Sequence, residues 1–441
     1  MTASVATYLL RRCRPVYLLD FNVYQPSDRL KCSHETFKEA IRAQGCYEPG
    51  TLQFMDKILE SSGVGGEAYM PPELHRPPLW DLSLAMKRQE SEMVIFELVE
   101  RLLRDNSLQP HQVDILVVNC SVFCPTPSLS AMVVNKFGMR PDIITYNLAG
   151  MGCSAGLISV SLVRELLQVY PGRRAIVVST ENISQNVYLG NQRSMSIPCC
   201  IFRMGGAALL MSNRRADARR AKQCLYSAGN RQACARRYEL LHVVRTHMGA
   251  HDEAYRCVYQ EEDDAGIVGM RLDKALMRVA GLAVRDNLTR LGPKVLPFME
   301  LLRYAINQGA RRLLKMDLPV YLPDFNRAFD HFCIHTGGKG VLEAMEKQLG
   351  LTPEHIWPSK YTLWRYGNTS SSSIWYVLAC IETQVGIRRG HRVWQLAFGS
   401  GFKANSAVWR ARKAVHRRHE AFLPPKDHTL SVLGPCPGAS M

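Results

Sequence analysis

Short runs of aliphatic and β-branched residues alternate with longer amphipathic stretches through most of this chain, and that alternation limits the fold more than any other feature. "VDILVVNCS" (113–121), "IITYNL" (143–148) and "RAIVVSTE" (174–181) read as strands, with "GAALLMSN" (206–213) as another. Between them, "SLSAMVVNKFG" (128–138) and "CSAGLISVSLVRELLQVYPG" (153–172) read as helices, stopped by Gly138 and by Pro171 with Gly172. The same style opens the chain, with a strand at 14–24, helices at 33–43 and 52–61, and a long helix over 82–104. It returns in the second half, with strands at 238–249, 331–338, 392–401 and 406–411 and helices at 273–289, 341–349 and 370–384. Strands that read as continuous apolar runs are covered on both faces, so the pattern predicts an α/β protein with buried sheets.

Bulk properties narrow the class. The 441 residues are 46% hydrophobic, enough for one large domain or two ordinary ones. Basic residues outnumber acidic by 55 to 39, a net charge of +16, which favours anionic partners. No nucleic-acid-binding motif is present, so a phosphorylated small molecule or an acidic membrane surface is the expected partner, not nucleic acid. Fourteen cysteines occur without a CxxC pair, which predicts free thiols in a reducing compartment. No uninterrupted run reaches the roughly 18 apolar residues of a membrane span, and the opening "MTASVATYLLRRCRP" is the reverse of a secretory signal. The chain by itself is expected not to cross a membrane.

Chemistry concentrates at three strand or helix ends. In "NLAGMGCSAG" (147–156) a strand runs through glycines into a helix, placing Cys153 before a helix N-terminus. The dipole there lowers a thiol pKa, and the glycines let a substrate approach; an inert buried cysteine fits these letters equally well. "HFCIHTGGKG" sets His331 and His335 on a strand, His335 just before a glycine turn, and "RYGNTSSSS" sets Asn368 in a loop before a helix. Metal ligation by the two histidines is disfavoured, since four residues of strand separate them by about 13 Å. A thiol, an imidazole and a carboxamide together suit decarboxylative acyl transfer: the thiolate takes the acyl group, and the two N–H donors hold the oxygen that becomes an enolate.

"GMGCSAG", "VVSTENISQNVYLGNQRSMSIPCCIFRMGG", "LGPKVLPFMELL", "HFCIHTGGKGV", "RYGNTSSSSIWY" and "RRGHRVWQLAFGSGFKANSAVW" occur in the same order as in the plant 3-ketoacyl-CoA synthases, which the chain resembles over roughly residues 15 to 412. The resemblance implies a thiolase-like αβαβα five-layered fold built from two similar halves, usually a homodimer. It divides the chain into a short extension (1–14), an N-terminal half with the nucleophile (15–223), an insertion (224–237), a C-terminal half (238–412) and a basic, Pro/Gly-rich, disordered tail (413–441). It assigns Cys153 as acyl acceptor, with His335 and Asn368 as the catalytic histidine and asparagine. His331 and His247 match further histidines, in supporting roles, and Gly399 and Gly401 belong to a glycine loop beside the substrate. The reaction implied joins malonyl-CoA to a long-chain acyl-CoA, the first step of very-long-chain fatty acid elongation toward wax, cutin, suberin or sphingolipid precursors. It needs no metal or redox cofactor. Implied partners are the ketoacyl-CoA reductase, dehydratase and enoyl-CoA reductase of an elongase. A type III polyketide synthase-like enzyme and an inactive homologue regulating an elongase are the competing readings.

Three departures from the family pattern stand out. Only about thirteen residues precede the "PVYLLDF" strand, where relatives carry two membrane helices, so a peripheral position on the cytosolic face of the endoplasmic reticulum, or a cytosolic one, is expected. Trp364 replaces a histidine four residues before Asn368, which puts rate and chain-length choice in question. "CLYSAGNRQACARR" (224–237) interrupts the approach to the "HVVRTH" strand. The run "VLPFMELLRYA" (295–305) reads as an amphipathic core helix, with tunnel lining or membrane contact as the alternatives.

Overall fold

The computed structural model describes residues 14–75, 80–217, 237–319 and 321–423. Its strands are β1 Tyr17–Val23, β2 Ile115–Asn119, β3 Ile144–Leu148, β4 Arg174–Thr180, β5 Gly206–Ser212, β6 Tyr238–His247, β7 Val258–Glu262, β8 Val268–Leu272, β9 His331–Ile334, β10 Arg392–Gly399 and β11 Lys403–Ala411. Its helices are α1 His34–Ala43, α2 Pro49–Ser61, α3 Leu84–Asp105, α4 Leu129–Phe137, α5 Ala155–Val169, α6 Arg193–Ile201, α7 Asp252–Arg256, α8 Leu276–Val295, α9 Phe298–Arg312, α10 Lys339–Leu349, α11 Pro353–Tyr366 and α12 Ser373–Cys380.

Nine strands are joined in the order β3-β2-β4-β5-β1-β6-β11-β10-β9, and β7 pairs with β8 as a separate hairpin. The long sheet has two arms that repeat one another. In the first, β2 runs parallel to β4, β4 antiparallel to β5, and β5 antiparallel to β1. In the second, β9 runs parallel to β10, β10 antiparallel to β11, and β11 antiparallel to β6. Among the described residues the second arm has no counterpart of β3. Among the described residues the arms meet at two register pairs, Tyr17 with Glu239 and Leu18 with Tyr238.

Two helices fill the space between the arms. α5 packs on β2, β4 and β11, while α12 packs on β1, β5, β9 and β10, so each touches both arms. α12 reads "SIWYVLAC" and is buried at every position, as a helix apolar on all sides must be. At their closest approach, a Cβ on Gly156 would lie 2.4 Å from the Ser371 carbonyl oxygen, so only glycine lets the two helix starts meet. α3 and α4 cover the outside of the first arm, and α8 and α11 the outside of the second. The result is the five-layered α/β architecture in two similar halves. The stretch Gly152–Val169 is long and apolar enough for a membrane span, with a mean hydropathy of 1.2, but here it forms the middle layer of the fold.

Several expectations are corrected. The helix predicted for 295–305 is not a core helix: α9 buries only Glu300 and leaves Phe298, Met299 and Ile306 exposed. Residues 413–423, assigned to a disordered tail, pack on the body of the protein. Val415 bridges Ile387, Arg417 pairs with Asp20 at 2.7 Å, and Phe422 is buried. The periodicity of the sequence does not reveal α6, α11 or the β7–β8 hairpin. The rest of the tail and residues 224–236 of the insertion lie outside the described residues.

Candidate active site

β3 ends at Leu148, and a 3-10 turn, Gly152–Ser154, presents Cys153 ahead of α5. Gly152 has φ +64°, and a Cβ there would fall 2.4 Å from the Ser400 amide nitrogen. Both facts demand glycine. Across this contact, a Cβ on Gly399 would lie 2.3 Å from Ser154 Oγ and 2.5 Å from the Met151 carbonyl oxygen. The glycine turn after β10 is thus seated directly on the cysteine turn.

His335 follows β9, and its N–H donates to the Leu396 carbonyl of β10 at 3.0 Å. The side chain is buried, and Nδ1 has no hydrogen-bond partner. Asn368 follows the end of α11. Its N–H donates to the Ile201 carbonyl and its carbonyl accepts from the Arg203 N–H, both at 3.0 Å. Its side-chain Oδ1 accepts from the Ser370 N–H at 2.8 Å, which leaves Nδ2–H as the end that can donate elsewhere.

Cys153, His335 and Asn368 line one cavity of about 470 Å³. His247, Gly399 and Gly401 line it too. His331 does not: it begins β9, and its Nε2 sits 3.0 Å from His391 Nδ1. Trp364 is absent from the lining as well. Its ring stacks on Tyr361, with centroids 5.9 Å apart, and packs against Gly65. Val258, Met270 and Leu272 of the β7–β8 hairpin give the cavity an apolar wall, together with Phe398.

Burial decides the charge state of the two titratable groups. It pushes the Cys153 thiol up to about 12, with Glu181 adding to the rise; hydrogen bonds from Ser370 and Asn368 act in the opposite sense without overcoming it. The expectation that the helix dipole keeps this sulfur ionised is therefore corrected. Burial also lowers His335 to about 4, so its imidazole is neutral at physiological pH. A neutral thiol facing the same space as a neutral imidazole is a pair at rest, able to pass one proton when a substrate arrives.

Two further residues touch this machinery. Ser370 Oγ lies 3.5 Å from Cys153 Sγ and 3.0 Å from Glu181 Oε2, and Ser370 itself holds φ +55°. A non-glycine residue in that region is a strained one. Glu181, buried at the end of β4, accepts from the N–H groups of Ser121 and Val122 at 3.2 Å. In sequence Ser370 is hidden in a serine run that reads as a helix cap. For Glu181, the only signal was a carboxylate placed directly after a buried strand.

Comparison with known proteins gives the family and the fold. The FAE1/type III polyketide synthase-like family model matches residues 8–313, and the C-terminal model of 3-oxoacyl-[acyl-carrier-protein] synthase III matches 326–411. The chain is 49% identical to 3-ketoacyl-CoA synthase 4 of Arabidopsis thaliana, over 93% of this chain and 77% of that one. It is 48% identical to a probable 3-ketoacyl-CoA synthase 20 of Oryza sativa subsp. japonica, over 93% and 75%. Among solved structures, the C-terminal type III polyketide synthase domain of Steely1 from Dictyostelium superposes with a TM-score of 0.68 at 18% identity, covering 90% of this chain and 99% of that one. Tetrahydroxynaphthalene synthase from Streptomyces coelicolor gives 0.65 at 18%, covering 90% and 100%. These two structures share the fold.

Proposed function

Because the chain belongs to the family of the plant 3-ketoacyl-CoA synthases, we propose that Cys153, His335 and Asn368 carry out the condensation of very-long-chain fatty acid elongation. One observation supports this assignment most: three residues from distant segments, of the types the chemistry needs, share a single apolar-walled cavity.

The neutral His335 takes the Cys153 proton as sulfur attacks the thioester carbonyl of a long-chain acyl-CoA. The proton then goes to the departing CoA thiolate, leaving an acyl-cysteine and free CoA. Malonyl-CoA enters next. N–H groups of His335 and Asn368 Nδ2 donate to its thioester oxygen, and the C–C bond to the carboxylate breaks to give CO2 and an enolate. The enolate carbon attacks the acyl-cysteine carbonyl and expels the Cys153 thiolate, which takes up one proton from solvent to return to the resting thiol. The product is a 3-ketoacyl-CoA longer by two carbons. His247 and the Gly399–Gly401 turn shape the wall beside the sulfur.

The working form is a homodimer; β3 supports this, as a sheet-edge strand that leaves Thr145 and Tyr146 exposed next to the cysteine loop. A ketoacyl-CoA reductase, a dehydratase and an enoyl-CoA reductase act on the product in turn. The site of action is the cytosolic face of the endoplasmic reticulum, a reducing setting that suits the free cysteines of the described residues.

The assignment is tested by incubating the full chain with radiolabelled long-chain acyl-CoA. The wild type is expected to hold label through a thioester, and Cys153→Ala to hold none. With malonyl-CoA added, mass analysis is expected to find one extension. Several successive extensions would mark polyketide chemistry instead, and a wild type that never labels would mark a regulatory homologue.

A further inference from the structure

α9 and the segment after it present an apolar surface that none of the described residues covers. Phe298 is 75% exposed, Ile306 63%, Leu313 84%, Leu314 71% and Leu322 74%. Exposed single apolar residues are ordinary, but a contiguous group along one helix and its return segment is not. Only Glu300 of α9 is buried. It accepts from the Tyr321 hydroxyl at 2.6 Å and the Asp324 N–H at 3.1 Å and pairs with Arg327 at 3.5 Å, so a polar clamp, not an apolar seam, ties this helix to the segment that follows it.

The charges around the surface are predominantly positive. Residues 294–317 carry Lys294, Arg303, Arg311, Arg312 and Lys315, five cations, against the anions Glu300 and Asp317, a net of +3. The single buried acid is already paired. Behind the helix, an open space of about 1670 Å³ separates α9 from α8 and α10, bordered by apolar Leu288, Leu301 and Met316 and by cationic Arg285 and Arg311. An apolar stripe flanked by arginines and lysines is the pattern of a helix lying in a lipid–water interface. Anionic headgroups complement the net charge, whereas a neutral apolar protein partner would leave these cations uncompensated.

We propose that α9 with residues 313–319 and 321–322 is the surface by which this protein docks on an anionic lipid bilayer. The placement serves the catalytic cavity. α8 is a shared wall: its Leu276 and Ala280 line the cavity holding Cys153, while its Met277 and Leu288 face the space behind α9. Docking here sets the acyl-accepting site one helix away from the membrane surface, from which a long-chain thioester partitions.

The proposal is tested with the full chain and vesicles of phosphatidylcholine alone or mixed with phosphatidylserine, scored by flotation. Wild type is expected to float with the mixed vesicles and far less with the neutral ones, and added salt is expected to release it. The combined variant Phe298→Ser, Ile306→Ser, Leu313→Ser, Leu314→Ser replaces only exposed side chains. It is expected to bind at least about 30-fold more weakly. Arg311→Glu with Arg312→Glu is expected to weaken binding by about fivefold or more per charge. Acyl loading of Cys153 from a medium-chain acyl-CoA in solution is expected to be unchanged in both. Since binding is read without turnover, failure of the condensing reaction would leave this result standing. Equal binding by wild type and the serine variant would overturn the proposal. So would a wild type that ignores both vesicles and that the serine substitutions convert from an oligomer to a smaller species, which would make this face a contact between copies of the chain.

Discussion

Cys153 and His335 are driven to their neutral forms by the same burial, and this sets how the site answers pH. With the thiol near 12, alkylation of the free enzyme by iodoacetamide is expected to keep accelerating above pH 9. A plateau near pH 7 would show a thiolate–imidazolium pair already formed at rest. Stability follows from the histidine. His335 titrates near 6.5 when unfolded and near 4 when folded, so the unfolded chain binds more protons between these values. Its contribution is complete above pH 6.5 and is lost as pH falls through 4, amounting to about 3 kcal/mol. His331 is lowered to about 4 in the same way, mainly by burial. His335→Gln is therefore expected to remove part of the acid sensitivity seen by urea titration at pH 7 and pH 4, with the His331 part remaining. At this scale the sequence was readable where backbone need and chemistry coincide. Glycines frame Cys153, His335 and Asn368 because tight turns carry them. Ser370 and Glu181 are not legible because their roles depend on a contact between the start of α12 and the end of β4, which lie far apart in the chain.

Elements were readable to the extent that burial writes a pattern. β2 and β4 are buried throughout and spell continuous apolar runs. α9 shows the limit: periodicity reveals that a helix has an apolar face but not what that face meets, so a surface helix passed for a core one. α11 was hidden by an internal Pro358 and by bulky aromatic residues with mixed propensity. β3 carries a consequence of its own. It is an edge strand with Tyr146 40% exposed, and it leads within a few residues to the cysteine turn. Pairing of two such edges would extend the sheet across a dimer and hold both cysteine loops. Tyr146→Lys sets like charges together at that seam. Light scattering is expected to drop from dimer to monomer mass, with a loss of acyl loading. A wild type that is monomeric and loads fully would refute the pairing.

At the scale of the whole molecule, the cavity lies between two half-molecules: Cys153 comes from the first, His335 and Asn368 from the second. Beside the helices α5 and α12 that touch both arms, the strands themselves join at a narrow weld, with two register pairs of β1 with β6 among the described residues. A buried charge cluster reinforces it. Arg237 reaches Asp20 of β1 at 2.8 Å and Glu382, just beyond α12, at 3.6 Å. The segment 413–423 completes the cluster, with Arg417 2.7 Å from Asp20 and His419 2.8 Å from Glu382. Removing one cation from such a group strands buried carboxylates, at a cost of about 3 kcal/mol when other partners remain. Arg237→Met keeps the volume and deletes the charge, so its unfolding free energy from urea titration is expected to fall by that amount, with a lower midpoint, while Arg237→Lys recovers some of it. The loss is expected to reach the active site before the fold as a whole. At urea concentrations where circular dichroism is still native, Arg237→Met should load acyl groups on Cys153 more slowly than wild type, since the halves that carry sulfur and imidazole are the parts released. An unchanged midpoint, or loading that declines only together with the global transition, would mean that the apolar middle layer of α5 and α12 holds the halves in place without help from this cluster.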